Sequence, residues 1–430
     1  MLDKESRVAA IGCAGIAAAL LCLALPGVAA AEELTLWHHT YPPATDFIKQ
    51  KAVEYNKLHP DVTITVQDDP HGDYEIKLLA AIASGNPPDI INLLDYLYPS
   101  YVKKKLLAPV DVHAFGVQSD DQLQAMYMPQ ALSGLTVGGT TFGVPEEFNT
   151  LALFLNKAHF AEAGLDATSS ATWPRTWNDL FTLAAKLTKK DDSGKITRLG
   201  FNWVWGLDPY WYAQQYWPIL VQYGCQVVDA SNQVTINAPP CVKAFTETWQ
   251  RLITDKIGGP DYATVNPVNA LQDFSDGRQS MMIAGIWAPP LFGEQVKKDY
   301  IVAPLPQLDP AQPHTLLNSY SLTVTSGSKH QQLAWDFIHF LVSDANGYLR
   351  ATGYVTGVKG WADTEAAKAT RGSAIFAEGQ KYGSFVWRSP TWTEEGTAIK
   401  NAIEQFAQGS PVKDALDQAA AAIKDIRAQQ

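Results

Sequence analysis

The sequence predicts an α/β fold with parallel strands, and three observations carry that expectation. Helix, turn and buried strand follow one another across Asp73–Tyr96, two strand–helix alternations precede that stretch, and 430 residues suffice for two lobes of roughly 200 residues each. Within the stretch, Tyr74, Leu78 and Ile82 recur every four residues while Glu75 and Lys77 fall on the other side, the pattern of an amphipathic helix. Gly85 can take the left-handed conformation that ends a helix, and Pro87-Pro88 cannot continue its hydrogen-bond ladder. Ile90–Leu94 re-enters as a short apolar strand of the kind covered on both faces, with Asp95 and Tyr96 at its carboxyl end. In open α/β sheets that edge gathers the loops that hold ligands.

Taken in order, Leu34–Trp37 is the first strand and His38–Pro43 the loop at its carboxyl end. Ile48, Ala52 and Tyr55 mark the buried face of a helix that ends near His59-Pro60. Val62, Ile64 and Val66 alternate with threonines as the second strand, which runs into Asp68-Asp69-Pro70. The three carboxyl ends therefore bring His38, His39, Asp68, Asp69, Asp95 and Tyr96 to one edge. Gly138–Pro145 reads as a hairpin leading into an extended segment. Glu146–Thr150 is then a polar interruption before the apolar run Leu151–Leu155, a candidate crossing between lobes. Thr176 caps the next helix, with Asp179 three residues on. Phe245, Trp249 and Leu252 mark one further helix, and Phe274–Trp287 reads as helix end, glycine turn and strand. Val302–Pro306 returns toward the first lobe, Ser319–Thr325 alternates as a strand, and Gln332–Leu341 is an amphipathic helix. Ser410-Pro411 should cap and open the last helix, with Leu416, Ala420 and Ile423 inward.

Residues 1–31 stand outside this pattern. Lys4 and Arg7 precede an apolar run from Val8 to Leu25, and Ala29-Ala30-Ala31 offers a cleavage site, so a secretory signal peptide ending at Ala31 is expected. Cys13 and Cys22 lie in the wrong places for a lipoprotein signal. Nothing after Ala31 is apolar for long enough to span a bilayer, and the location expected is the periplasm. The formal net charge is −11, and no basic patch with interleaved aromatics appears, which argues against a nucleic-acid partner. Cys225 and Cys241 remain after cleavage; in an oxidising compartment a local disulfide is expected, two free buried thiols being the alternative.

Aromatic side chains crowd one stretch: Trp203, Trp205, Tyr210, Trp211, Tyr212, Tyr216 and Trp217. Core packing explains some of them. Gly206, Asp208 and Pro209 break the set into a loop, however, and Trp and Tyr carry polar groups that need partners.

Several segments together resemble the extracellular solute-binding family 1 of ABC importers, which includes the maltose- and other sugar-binding proteins. They are Tyr55–Val62, Lys77–Ile90, Gly143-Val144-Pro145 ahead of Leu155-Asn156-Lys157, Ala163-Gly164-Leu165, Thr176-Trp177 before Ala184–Thr188, Phe274–Trp287 and Ala334–Leu341, in the family's order. The resemblance implies a type II periplasmic binding protein fold: two α/β lobes, each a mostly parallel sheet flanked by helices, joined by extended hinge segments. Lobe I would comprise residues 32–148 and 318–362, and lobe II residues 149–317 and 363–430. A monomer is implied, without cofactor, that closes over a sugar and presents it to a membrane permease. Carried over by position, the ligand-binding residues are Trp37, His38, Tyr41, Asp95, Asn149, Asp208, Tyr210, Trp211, Trp287, Ser319 and Tyr320. Trp387–Trp392 matches loosely. Tyr354-Val355 stands where relatives often place a proline, which leaves the third hinge crossing open.

These residue types suit a saccharide. A pyranose offers faces of C–H bonds and an equator of hydroxyls; Trp211 and Trp287 supply flat apolar surfaces, while Asp95, Asn149 and Asp208 supply acceptors and donors for the rim. A neutral saccharide or polyol is expected. A polyol phosphate or acidic sugar would need a cationic anchor, and no Arg stands among these residues. A glycoside-hydrolysing enzyme would need paired carboxylates at set separation, and no other catalytic motif is present. Asp68-Asp69 and Glu394-Glu395 read as solvated surface charges and Glu146-Glu147 as flanking a turn. His38-His39 lacks companions for a metal, and adjacent residues at a strand end should point apart.

Overall fold

The computed structural model describes residues 32–203, 208–257, 270–294 and 296–429. The expected signal peptide and Trp205 lie outside them. Alternating apolar residues build β1 (Glu32–His39) and β2 (Val62–Asp69), and a continuous apolar run builds β3 (Ile90–Leu94). Helices α1 (Pro42–Leu58) and α2 (His71–Ala83) connect them. All three strands run parallel in the order β2-β1-β3, so the direction of winding reverses at β1 and the crevice lies beyond its carboxyl end. The return strand Thr315–Val324 adds antiparallel to β3. The crossing strand Val144–Thr150 pairs antiparallel with it in turn, and the short strand Gly383–Ser384 pairs parallel with its start.

The second sheet has the order Tyr300–Ala303, Ala152–Asn156, Gln279–Ala284, Ile196–Phe201, Lys189–Lys190, with Gln279–Ala284 and Ile196–Phe201 parallel and the other neighbours antiparallel. Only Leu151 separates the crossing strand of the first sheet from Ala152–Asn156 of the second. The chain therefore passes between lobes as a nearly continuous extended segment. Trp203 belongs to the core of the second lobe, stacked on Trp249 at 4.7 Å and edge-on to Phe201 at 4.9 Å.

Local chemistry explains most boundaries. Gly138 and Gly139, at φ +60° and +85°, turn the small hairpin between Thr136–Val137 and Thr140–Thr141. Gly85 (φ +78°) closes α2, and Thr176 with Asp179 forms the expected capping box. Cys225 and Cys241 are bonded, with Cα atoms 4.8 Å apart.

Several expectations need correction. The loop after β1 is short: His38 and His39 continue the strand, in register with Asp68 and Asp69, and Pro42 and Pro43 open α1, where a missing N–H costs nothing. The helix expected through Phe245, Trp249 and Leu252 is two pieces, Pro239–Glu247 and Arg251–Thr254. Thr248 turns its hydroxyl onto the Ala244 carbonyl at 2.6 Å and leaves the helical path. The last helix starts at Val412 with Pro411 before it and no side-chain cap from Ser410. Asp69 is buried against Lys77 and Gln67. Glu395 is fully buried and accepts hydrogen bonds from Trp387 Nε1 (2.7 Å), Ser389 Oγ (2.6 Å), Thr391 Oγ1 (2.9 Å) and Arg427.

Candidate functional site

β3 delivers Asp95 to the crevice, where the helix Pro209–Gln222 meets it. Asp95 is fully buried; its Oδ1 accepts from Ser319 N at 3.0 Å and from Tyr210 Oη at 3.2 Å, while Oδ2 has no partner. Burial pushes its carboxyl up to about 6, against the pull of the Ser319 N–H, Arg388 and Tyr210. The neighbouring Tyr96 ring packs 4.6 Å from Tyr210 and 4.2 Å from Trp392. Arg388, which the sequence reading missed, donates to the carbonyls of Asp95 (3.1 Å) and Gly134. Its guanidinium is therefore committed to main chain and balances Asp95.

Asp208 caps the helix Pro209–Gln222, accepting from Tyr210 N at 2.7 Å. One turn in, Trp211 meets Trp287 edge to face, with centroids 5.8 Å apart. Trp287 follows the strand Gln279–Ala284. Tyr41, just ahead of α1, reaches across to it: the Tyr41 hydroxyl donates to Thr352 O (2.6 Å) and lies 3.1 Å from Trp287 O, and its ring stacks on Tyr354 at 4.7 Å. Asn149 accepts from Ile286 N through Oδ1 at 3.2 Å, and its buried Nδ2 has no partner. Gly285 makes this approach possible, because a Cβ there would lie 1.9 Å from Asn149 Nδ2.

The two histidines take different places. His38 is fully buried, its Nε2 2.9 and 3.0 Å from the two oxygens of Glu146 and its Nδ1 against the His39 carbonyl. Burial pushes the imidazole down, and the Glu146 carboxylate more than reverses that, so the pKa is raised. Tyr348 Oη (2.6 Å) and Asn92 Nδ2 (2.5 Å) complete the shell around Glu146. The rings of His38 and His39 do not point apart; they stack at 4.6 Å, and His39 stacks again on Tyr320 at 4.1 Å. Among the described residues no group of three or more His, Cys, Asp or Glu side chains could hold a metal.

Glu146 and Glu147 do not flank a turn; both are buried in the crossing strand. Neighbours in a strand face opposite sides. Glu147 pairs in register with Tyr320, which pairs with Leu94 of β3, so all three lie side by side. Among the described residues the Glu147 carboxyl makes no hydrogen bond; its Oε1 is enclosed, and burial together with Glu146 and Asp95 raises its pKa well above the ordinary value.

A cavity of about 300 Å³ opens between α2, the end of β3, the return strand and Asp208. His39, Tyr96, Asp208 and Tyr320 line it with Glu75 and Tyr101, the last from α3 (Tyr98–Lys103). Of the residues carried over from the resemblance, the structure thus brings Asp208 and Tyr320 to this cavity, with Asp95, Tyr210 and Ser319 bonded together beside it. Tyr41, Asn149, Trp211 and Trp287 form a second group. Trp37 is partly buried, and its carbonyl accepts from Tyr74 Oη at 3.0 Å. The sequence pattern sets Glu75 on the side of α2 away from the Tyr74–Leu78–Ile82 stripe; in the structure that flank lines the cavity together with Leu79, four residues on.

The profile of the bacterial extracellular solute-binding protein family matches residues 41–348. The chain is 23% identical to the galactooligosaccharide-binding protein of Bacillus subtilis over 404 residues, covering 91% of this chain and 89% of the relative. It is 27% identical to the lactose-binding protein of Rhizobium radiobacter over 279 residues, covering 63% of this chain and 59% of the relative. In fold it is similar to an ABC substrate-binding protein from Listeria monocytogenes solved with cycloalternan, at TM-score 0.78 and 21% identity, covering 92% and 99% of the two chains. The GacH receptor of Streptomyces glaucescens gives TM-score 0.77 at 22% identity, covering 92% and 98%.

Proposed function

The chain belongs to the bacterial extracellular solute-binding protein family, and from that premise we propose that it binds a saccharide or polyol between its lobes and delivers it to an ABC permease. One observation carries the reading. Asp95 Oδ2, Glu147 Oε1 and Asn149 Nδ2 are enclosed and unpaired where the chain crosses between sheets. Buried polar atoms without partners cost stability unless a ligand supplies the partner. Two carboxylates and an amide, the amide next to Trp287 at Gly285 and Trp287 in turn against Trp211, supply the acceptors, donors and flat apolar surfaces that a sugar's hydroxyl rim and C–H faces need. An acidic sugar or polyol phosphate fits poorly, because Arg388 is already balanced by Asp95 and the other groups are carboxyls.

Lobe I is taken as residues 32–148 and 318–362 and lobe II as 149–317 and 363–430, the change of sheet at Leu151 supporting the first boundary. Closure is then a two-state motion biased by contacts to both lobes; Tyr41 with Trp287 and Asp95 with Tyr210 are the contacts that close. The mature protein is proposed to be a monomer that starts after Ala31 and acts outside the cytoplasmic membrane without chemistry of its own; the relatives it matches are named as binding proteins.

A thermal-shift screen of the mature protein, unfolded and refolded to remove ligand, tests this against saccharides, polyols, acidic sugars and polyol phosphates. A ligand at a hundredfold its dissociation constant adds roughly 2.7 kcal/mol. A saccharide or polyol that raises the midpoint and is recovered unchanged supports the reading. A response to anions alone, or a sugar recovered cleaved, overturns it.

A further inference from the structure

Resting on the saccharide reading, we propose that the natural ligand is an amino sugar whose protonated amine sits between Glu75 and Asp208 in the cavity at the end of β3. The two carboxylates come from different elements, α2 and the cap of the helix Pro209–Gln222, and both line the same 300 Å³ space. Among the described residues the Glu75 carboxyl makes no hydrogen bond and no ion pair, and the Asp208 carboxylate bonds only the main chain at Tyr210. Among the described residues no lysine or arginine lines the cavity, and His39 is the basic side chain that does. Its walls include Tyr74, Tyr96, Tyr101 and Tyr320, aromatic side chains that suit a cation as well as the C–H face of a sugar, although Tyr320 keeps one face on His39 and Tyr96 packs on Tyr210 and Trp392. Tyr101 adds an independent sign of a ligand. It is 1% exposed, it lines the cavity, and its hydroxyl has no partner.

A neutral sugar leaves two half-buried carboxyls side by side in the cavity with no cation to pair them. An ammonium group pairs with both and removes the repulsion. The surroundings of Glu75 agree: burial, then Asp208, push its carboxyl up to about 7 with a contribution from Glu394, while Lys104 pulls the other way and Tyr101 lies within reach of its charge. A cation favours the ionised form. Binding of the amine at pH 7 should therefore expel a fraction of a proton from Glu75. Affinity should rise with pH through about 7 until the amine itself loses its proton near pH ~8, taking the ordinary α-amino value.

The test is titration calorimetry on the refolded mature protein with matched sets that differ at one substituent. The sets are glucose, galactose and mannose, each as the hydroxyl, 2-amino and 2-acetamido form, together with the β-1,4 dimers of glucose, glucosamine and N-acetylglucosamine. The amine member of at least one set should bind roughly tenfold tighter or more than its hydroxyl and acetamido partners, the yield of a charge-assisted hydrogen bond. Measured in two buffers of different ionisation heat, it should release protons at pH 7. Glu75→Gln should abolish both the preference and the proton release, and Asp208→Asn, which keeps a capping side chain, should weaken the preference. Hydroxyl or acetamido forms that bind as tightly as the amine in every set overturn the inference and leave the saccharide reading standing. Absence of binding by every member, including a control polyol, overturns both.

Discussion

Replacing Asp95 with Asn should stabilise the ligand-free protein at neutral pH and weaken its grip on ligand. The ordinary Asp value is 3.8 and burial raises Asp95 to about 6. Each unit is worth 1.36 kcal/mol, so the ionised side chain costs the folded state about 3 kcal/mol at pH 7.5. The sign follows from proton binding: between about pH 4 and 6 the folded state holds the proton more tightly, so the cost is only about 0.5 kcal/mol at pH 4 and complete above pH 7. Asparagine keeps an oxygen that can accept from Ser319 N and Tyr210 Oη. The gap between variant and wild type, measured by urea unfolding at pH 4.0 and 7.5, should therefore shift by about 2.5 kcal/mol in favour of the variant. Buried groups that do not interact with Asp95 cancel in the difference; Glu147, whose carboxyl Asp95 helps to push up, does not, and repeating the comparison in a Glu147→Gln background removes its contribution. Ligand affinity should fall roughly tenfold to a hundredfold, because the amide cannot accept a second hydroxyl in place of Oδ2. Parallel pH profiles would refute the burial argument, and unchanged affinity would remove Asp95 from the site.

Three further outcomes are expected. Glu146→Gln leaves His38 buried without its carboxylate and should cost about 3 to 5 kcal/mol. Because the His38 pKa is raised, the stability this pair contributes is complete below pH 6.5 and is lost as pH rises through the folded value, so the variant should lose the gain in melting temperature that wild type shows between pH 8 and 6. Reducing the Cys225–Cys241 bond, which closes a loop of 16 residues' separation, should lower stability by about 3 kcal/mol, read as a melting shift with and without reductant. Gly285→Ala forces aside Asn149 Nδ2 and Trp287, 1.9 and 2.5 Å from the new Cβ, and should weaken ligand binding at least tenfold in calorimetry; full affinity would place the ligand elsewhere.

The β2-β1-β3 core was legible because its evidence is local. Alternation in Val62–Val66, the apolar run Ile90–Leu94 and the Gly85 stop each lie within a few residues. The candidate site was legible where a polar group sits at an element end and reaches the crevice, as Asp95 and Asp208 do. What escaped were polar residues buried by partners far along the chain. Glu146 is satisfied by Tyr348, 202 residues away, and Glu395 by Arg427 of the last helix, 32 residues on. Periodicity reports burial through apolar side chains, so an enclosed carboxylate reads as a surface charge until its partner is placed beside it. Glu75 escaped for a related reason: the stripe Tyr74–Leu78–Ile82 defines one face of α2, and only the lobe opposite decides what covers its flank.

On the proposed reading, the crossing strand puts that hidden polarity to use in binding. Glu146 and Glu147 are neighbours, so the pleat sends them to opposite sides. Glu146 faces His38, Asn92 and Tyr348, where every partner belongs to the first sheet or the helix against it, and the pairing fixes the strand to that lobe. Glu147 faces the side of Tyr320, with no partner of its own. One glutamate holds the crossing strand rigidly in register, and this registration keeps the other, along with Asn149 two residues on, presented to the crevice. A loosened Glu146 would let the strand relax and satisfy Glu147 and Asn149 with water or main chain. Glu146→Gln should therefore weaken ligand binding as well as stability, although Glu146 itself never faces the ligand.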